Sequence, residues 1–194
     1  MRKDFYLFRH GQTSYNVENR VQGRIKGSML TGKGREQAVE VGKKLKDKGI
    51  EVIHSSPLPR AVASAEIVAE ALGVKVVVDE GLTETSFGII EGMIEKDARA
   101  EYGDVFAKWS GEYPECMDVC FEGGETKRQT YERILSVLEN ITQKKERIIG
   151  IAAHSGVIRY LVRGLFEVRI DAADIKNGAI FHIVYENGEW RQEN

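Results

Sequence analysis

Cysteine is scarce in this 194-residue chain, and proline scarcer for its length: there are two cysteines, Cys116 and Cys120, and three prolines. Two thiols separated by three residues, with no second Cys/His pair nearby, do not make the spacing of a structural zinc site. A chain of this length buries roughly 70% of the surface it would expose unfolded, so it needs no disulfide, and both cysteines are read as reduced thiols. Charge of one sign is lacking as well, since 28 Lys and Arg face 30 Asp and Glu for a formal net charge of −2. That balance argues against a nucleic-acid or anionic-membrane partner and requires any anion site to be local. No apolar run approaches the length that crosses a bilayer. Met1-Arg2-Lys3 leads almost directly into the first apolar run, leaving no room for a signal peptide, so a cytoplasmic location is expected.

What is present is an alternation of short apolar runs and amphipathic segments. Phe5 to Phe8, Glu51 to His54, Val74 to Val78 and Arg147 to Ala153 read as strands, the last as the most deeply buried. Between them, Thr31 is an N-cap candidate for a helix carrying Ala38, Val41 and Leu45, stopped by Gly49. Pro57 to Leu72 places Ala61, Ala65, Val68 and Leu72 on one face, with Gly73 just beyond. Tyr131 to Ile141 lies within a third long helix, and Val157 to Leu165 forms another whose N-terminus would favour an anion. Ala179 to Tyr185, Asn187-Gly188 and Trp190 read as a closing hairpin. Thr85 to Glu125 has no clear period and is expected to form a lid or specificity insert.

Two His-Gly-type turns stand out, Arg9-His10-Gly11 and His154-Ser155-Gly156, each where an apolar strand stops. In an open α/β sheet, the carboxyl ends of the strands are where ligands bind. Arg60, in the first turn after Ser55-Ser56-Pro57, reaches the same edge. Two imidazoles and two guanidiniums, Arg9 and Arg60, suit a phosphate monoester, which needs a nucleophile and a fork of donors for its nonbridging oxygens. Glu84 supplies an acid for the departing alkoxide. The arginines are expected to depress the pKa of His10 and keep its imidazole neutral. The other histidines have plainer readings: His182 as a satisfied strand residue, His54 as a support behind the site. Trp109, Tyr102 and Phe106 make either a pocket lining or a small core.

These residues together resemble the histidine phosphatase superfamily, also called the phosphoglycerate mutase-like family. The resemblance runs through Leu7-Phe8-Arg9-His10-Gly11-Gln12-Thr13, Asn16, Leu30-Thr31, Gly34, Gln37-Ala38 and Ser55-Ser56-Pro57-Leu58-Pro59-Arg60-Ala61. It continues through Leu82, Glu84, Phe87-Gly88, Glu91-Gly92, Gly123-Gly124-Glu125 and Ala153-His154-Ser155-Gly156-Val157-Ile158-Arg159. It implies a three-layer α/β/α sandwich with a mostly parallel central sheet, as one domain over residues 1–194 with 85–125 as its insert. His10 would be the nucleophile that becomes a phosphohistidine, with Arg9, Arg60 and His154 completing the phosphate pocket and Glu84 as proton donor. Asn16, Gln22, Gly23 and Ser155 are the further substrate-binding candidates. No metal and no cofactor are implied.

Glu84-Thr85-Ser86-Phe87-Gly88-Ile89-Ile90-Glu91-Gly92 looks like the phosphatase form of the acid block, unlike the Glu-Arg-His-Tyr-Gly-Gly-Leu-like block usual in the mutases. Ile90 stands where a tryptophan is common, and Lys26-Gly27-Ser28-Met29 replaces a more usual Asp-x-Pro stretch. The expectation is a phosphomonoesterase acting on a small phosphorylated metabolite, as a monomer or homodimer, with no nucleic-acid or membrane partner. The alternatives are a cofactor-dependent phosphoglycerate mutase and a catalytically weak phosphate-binding regulatory module.

Overall fold

The computed structural model describes residues 2–111, 114–168, 170 and 173–193. Its strands are β1 (Arg2–Arg9), β2 (Val52–Ser55), β3 (Lys75–Val78), β4 (Ile148–Ala153), β5 (Ile180–Glu186) and β6 (Glu189–Glu193). Its α-helices are α1 (Ser14–Val17), α2 (Gly32–Leu45), α3 (Pro59–Leu72), α4 (Glu95–Glu101), α5 (Gly103–Trp109), α6 (Lys127–Thr142) and α7 (Ser155–Phe166). The strands form one six-stranded sheet in the order β3-β2-β4-β1-β5-β6. β3, β2, β4 and β1 run parallel, while β5 and β6 continue the sheet antiparallel.

Helices cover both faces, and the period-two pattern of the strands assigns them. From β1, Phe5 and Leu7 join Ile149 and Ile151 of β4 under α6 and α7, packed by Ile134, Leu138, Ile158 and Leu161. Phe8, one position out of phase, faces the opposite layer, where Val41 and Leu45 of α2 and Ala65 and Val68 of α3 meet Ile53 and Ala152. The helix limits follow local chemistry. Thr31 Oγ1 caps α2 by accepting from Gly34 N at 3.0 Å. α3 starts on Pro59 and ends at Gly73, whose φ of 69° is left-handed. The C-terminal hairpin forms as expected, with Asn187 and Gly188 both at positive φ.

The segment from Thr85 to Glu125 is more ordered than its lack of period suggested. It holds α4, α5 and a small apolar cluster of its own, Ile90, Ala98, Phe106 and Phe121, with Tyr102 and Trp109 packed against it. Each helix has only seven residues, too short for a repeating pattern to stand out. Residues 112–113 of that expected insert lie outside the described residues.

Candidate active site

The pairing of β1 with β4 brings the two histidines together. The strands are parallel neighbours with Arg9 opposite Ala153, so His10 and His154, each one residue further on, leave the sheet side by side. His10 N donates to Ala153 O at 3.1 Å. The ring centroids are 5.1 Å apart, edge to face. The first turn is held in place by contact with α2: a Cβ on Gly11 would lie 2.0 Å from Gly34 O, so only glycine fits.

Hydrogen bonding settles which nitrogen of His10 is free. Nδ1 lies 2.7 Å from Gly11 O, and a carbonyl can only accept, so Nδ1 carries the proton. Burial, then Arg60, then Arg9 hold the His10 pKa well below 6.5. The ring is therefore neutral and Nε2 keeps its lone pair. The arginines lower it as the sequence suggested, and burial adds a larger effect in the same direction. His154 is fully buried behind His10, with Nε2 2.7 Å from Ser56 Oγ. Its pKa is also held well below 6.5, by burial first and by Arg60 next.

The two arginines are only partly satisfied. Arg60, 1% exposed, donates from Nη1 to Ile25 O at 2.9 Å and from Nη2 to Gly23 O at 2.7 Å. Burial lowers its pKa to about 10. Arg9 Nη1 donates to Ile175 O at 2.6 Å. Among the described residues, six buried side-chain polar atoms lack a hydrogen-bond partner: Arg9 Nε, Arg60 Nε, Arg159 Nε, His154 Nδ1, Tyr160 Oη and His54 Nδ1. All but the last belong to residues that line or back one cleft of about 230 Å3. An unmet buried donor costs about 1–3 kcal/mol, so this concentration of cationic donors is a cradle that an anion would complete.

Glu84 lies at the N-terminus of α7. Oε1 accepts from Thr85 N at 2.9 Å and Val157 N at 3.2 Å, and Oε2 from Gly156 N at 3.1 Å. The sequence reading left those helix amides open for a bound anion; the carboxylate of Glu84 already occupies them. A Cβ on Gly156 would come within 2.5 Å of Glu84 Oε1, which explains the glycine after His154-Ser155. The Glu84 backbone is fixed by Arg24 Nε, donating to its carbonyl at 3.1 Å.

A sequence model described as the histidine phosphatase superfamily (branch 1) matches residues 5–194. The chain belongs to that superfamily. It is 36% identical over 194 aligned residues to a 2,3-bisphosphoglycerate-dependent phosphoglycerate mutase of Parvibaculum lavamentivorans, covering 93% of this chain and 88% of that protein. Its fold superposes on a mycobacterial glucosyl-3-phosphoglycerate phosphatase with a TM-score of 0.84, at 26% identity over 100% of this chain and 98% of the other. A phosphoglycerate mutase of Bacillus anthracis has the same fold, with a TM-score of 0.86 at 24% identity over 100% and 92% of the two chains.

In this histidine phosphatase superfamily member, the remaining candidates also fall at the cleft. Asn16, Gln22, Gly23 and Ser155 all line it. The oxygens of the two amides hold loops together. Asn16 Oδ1 accepts from Thr13 N at 3.1 Å and from Asn177 Nδ2 at 3.2 Å. Gln22 Oε1 accepts from Thr13 and Ser28 hydroxyls, each at 3.0 Å. His54 is buried in β2 and does not line the cleft; His182 bonds Asp4 Oδ1 at 2.8 Å through Nε2 and stacks on Tyr6.

The sequence pointed to Phe106 and Trp109 as lining for the outer wall but not to most of its other residues. Arg20, Arg99, Phe87, Phe121, Tyr160 and Arg159 join Phe106 and Trp109 there. One signal was available: Arg159 lies four residues after Ser155 on α7, hence on the same helix face. Also missed was the Glu125–Arg133 pair, 2.8 Å apart, in which Arg133 Nη1 donates to Gly81 O and Thr83 O at 2.6 and 2.9 Å just before Glu84.

Proposed function

We propose that the protein is a phosphomonoesterase that hydrolyses a small phosphorylated metabolite through a phosphohistidine on His10. The observation that carries this reading is the neutral His10 ring, its Nε2 lone pair free beside the unfilled donors of Arg9 and Arg60. The guanidiniums grip the nonbridging phosphate oxygens and stabilise the charge shifted onto them in the transition state. His10 Nε2 attacks phosphorus, the bond to the alkoxide oxygen breaks, and a protonated Glu84 gives its proton to that oxygen. Water then attacks the phosphohistidine; Glu84 takes a proton from it, and phosphate and free His10 result. His154 backs the pocket as a neutral donor or acceptor. The acid block from Glu84 to Gly92, which looks like the phosphatase form, and the phosphatase relative above support hydrolysis over transfer.

A mutase is the second reading, favoured by the relative named as a phosphoglycerate mutase. The two part company at the phosphohistidine, where a sugar-acid hydroxyl instead of water would accept the phosphoryl group. The test is incubation with p-nitrophenyl phosphate, 3-phosphoglycerate with and without 2,3-bisphosphoglycerate, sugar phosphates, α-ribazole phosphate and phosphoserine in excess EDTA, following free phosphate and phosphoglycerate isomers. Phosphate release supports the phosphatase and a metal-free mechanism; isomer interconversion without release supports the mutase. Neither product would leave a phosphate-binding module.

A further inference from the structure

Three arginines stand in the outer cleft, and two of them are neutralised. Arg20 Nε bonds Glu18 Oε2 at 2.6 Å, and Arg99 bonds Glu95 Oε1 through Nε and Nη2 at 2.9 and 2.6 Å. Arg159 has no carboxylate partner among the described residues, and its Nε is buried without a hydrogen bond. Its guanidinium lies 5.9 Å from the Trp109 ring centroid and 5.5 Å from that of Tyr160. Aromatic faces support a cation without cancelling its charge or filling its donor fork. Arg9, on the phosphate side, feels Arg159 as a like charge. An anion lying between the two would satisfy both.

From the phosphomonoesterase reading, and resting on it for the position of the phosphate, we infer that Arg159 determines specificity by binding a second anionic group of the substrate. Residue 159 is one turn of α7 beyond Ser155, about 6 Å along the axis, and long helical side chains lean back toward the N-terminus. The second anion is therefore a few bonds from the phosphate ester, as in a short phosphorylated acid or a bisphosphate. A phosphorylated alcohol lacks the group that Arg159 awaits.

Binding read on His10→Ala, which cannot turn substrate over, separates this inference from the catalytic reading. Calorimetry would compare 3-phosphoglycerate with glycerol 3-phosphate, a pair differing in carboxylate against hydroxymethyl. A second comparison, propane-1,3-diol bisphosphate with propane-1,3-diol monophosphate, tests phosphate as the second anion. At least one of the anionic partners is expected to bind about tenfold or more tightly, and His10→Ala/Arg159→Met to lose most of that advantage. Which pair shows the effect tells carboxylate from phosphate. No advantage in either pair on His10→Ala alone overturns the inference, even if the Arg159 variant fails to fold; so does an advantage that Arg159→Met leaves intact. Turnover of p-nitrophenyl phosphate by the unaltered protein tests the phosphatase reading independently.

Discussion

The two ends of the cleft are built differently. The inner end comes from the sheet: His10 and His154 follow adjacent parallel strands, Arg60 sits on the first turn of α3, and glycines at 11 and 156 meet their neighbours with no room for a methyl group. The outer end comes from α4, α5 and the middle of α7, with a small separate apolar cluster beneath it. The inner end has little freedom to vary without losing the strand register, whereas α4 and α5 of the outer end pack on an apolar cluster separate from the sheet. On the proposed reading, the first fixes the chemistry and the second chooses the substrate.

Substitutions at the inner end should therefore cost the most, whichever substrate is used. His10→Ala is expected to lower kcat at least about 10^4-fold on every phosphate ester, measured by phosphate release. A loss confined to some substrates would break the division between the two ends. Glu84→Gln should slow alkyl phosphates by about 10^2- to 10^4-fold and p-nitrophenyl phosphate much less, because only the alkoxide needs a proton as it leaves. Equal losses on both would remove Glu84 from the acid role. Arg60→Met should cost about 10^2- to 10^3-fold in kcat/KM, since it removes donors to the phosphate and frees the Gly23 and Ile25 carbonyls it holds.

The smallest effect concerns stability. His10 and His154 have folded pKa values well below 6.5 because of burial, while the unfolded chain protonates them near that value. Below about pH 6.5 the unfolded state binds more protons, so their contribution is intact above that pH and falls as pH drops. Each should contribute a slope that grows, as pH falls below the unfolded value, toward a limit of about 1.4 kcal/mol per pH unit. Denaturant unfolding from pH 7 to 5 checks this: His154→Asn should flatten the decline. An unchanged slope would show that His154 is charged in the folded protein.

Much of the inner end was legible in the sequence because strand ends, caps and glycines are local signals. Thr31 and Gly73 marked helix limits where the structure has them, Gly49 ends the 3-10 turn of residues 46–48 that follows α2, and His10, Arg9, Arg60, Glu84 and His154 could be named before any geometry. The chain did not reveal that Glu84 would occupy the α7 amides, since that contact joins residues 72 and 73 positions apart. Nor did it single out Arg159. Whether an arginine is paired depends on which carboxylates fold beside it, and Glu95 and Glu18 went to Arg99 and Arg20 instead. The insert was legible as a covering segment, with Phe106 and Trp109 as possible lining, but its two helices were not, because seven residues carry too few turns to establish a period.

The central claim is a covalent phosphoryl group on His10. Rapid quenching of Glu84→Gln during turnover of p-nitrophenyl phosphate, followed by alkaline digestion-compatible peptide mapping by mass spectrometry, locates it directly. The account predicts an acid-labile phosphate on the peptide containing Arg9-His10-Gly11, absent when His10 is also alanine. Turnover without any phosphopeptide, or phosphate on another residue, would contradict it.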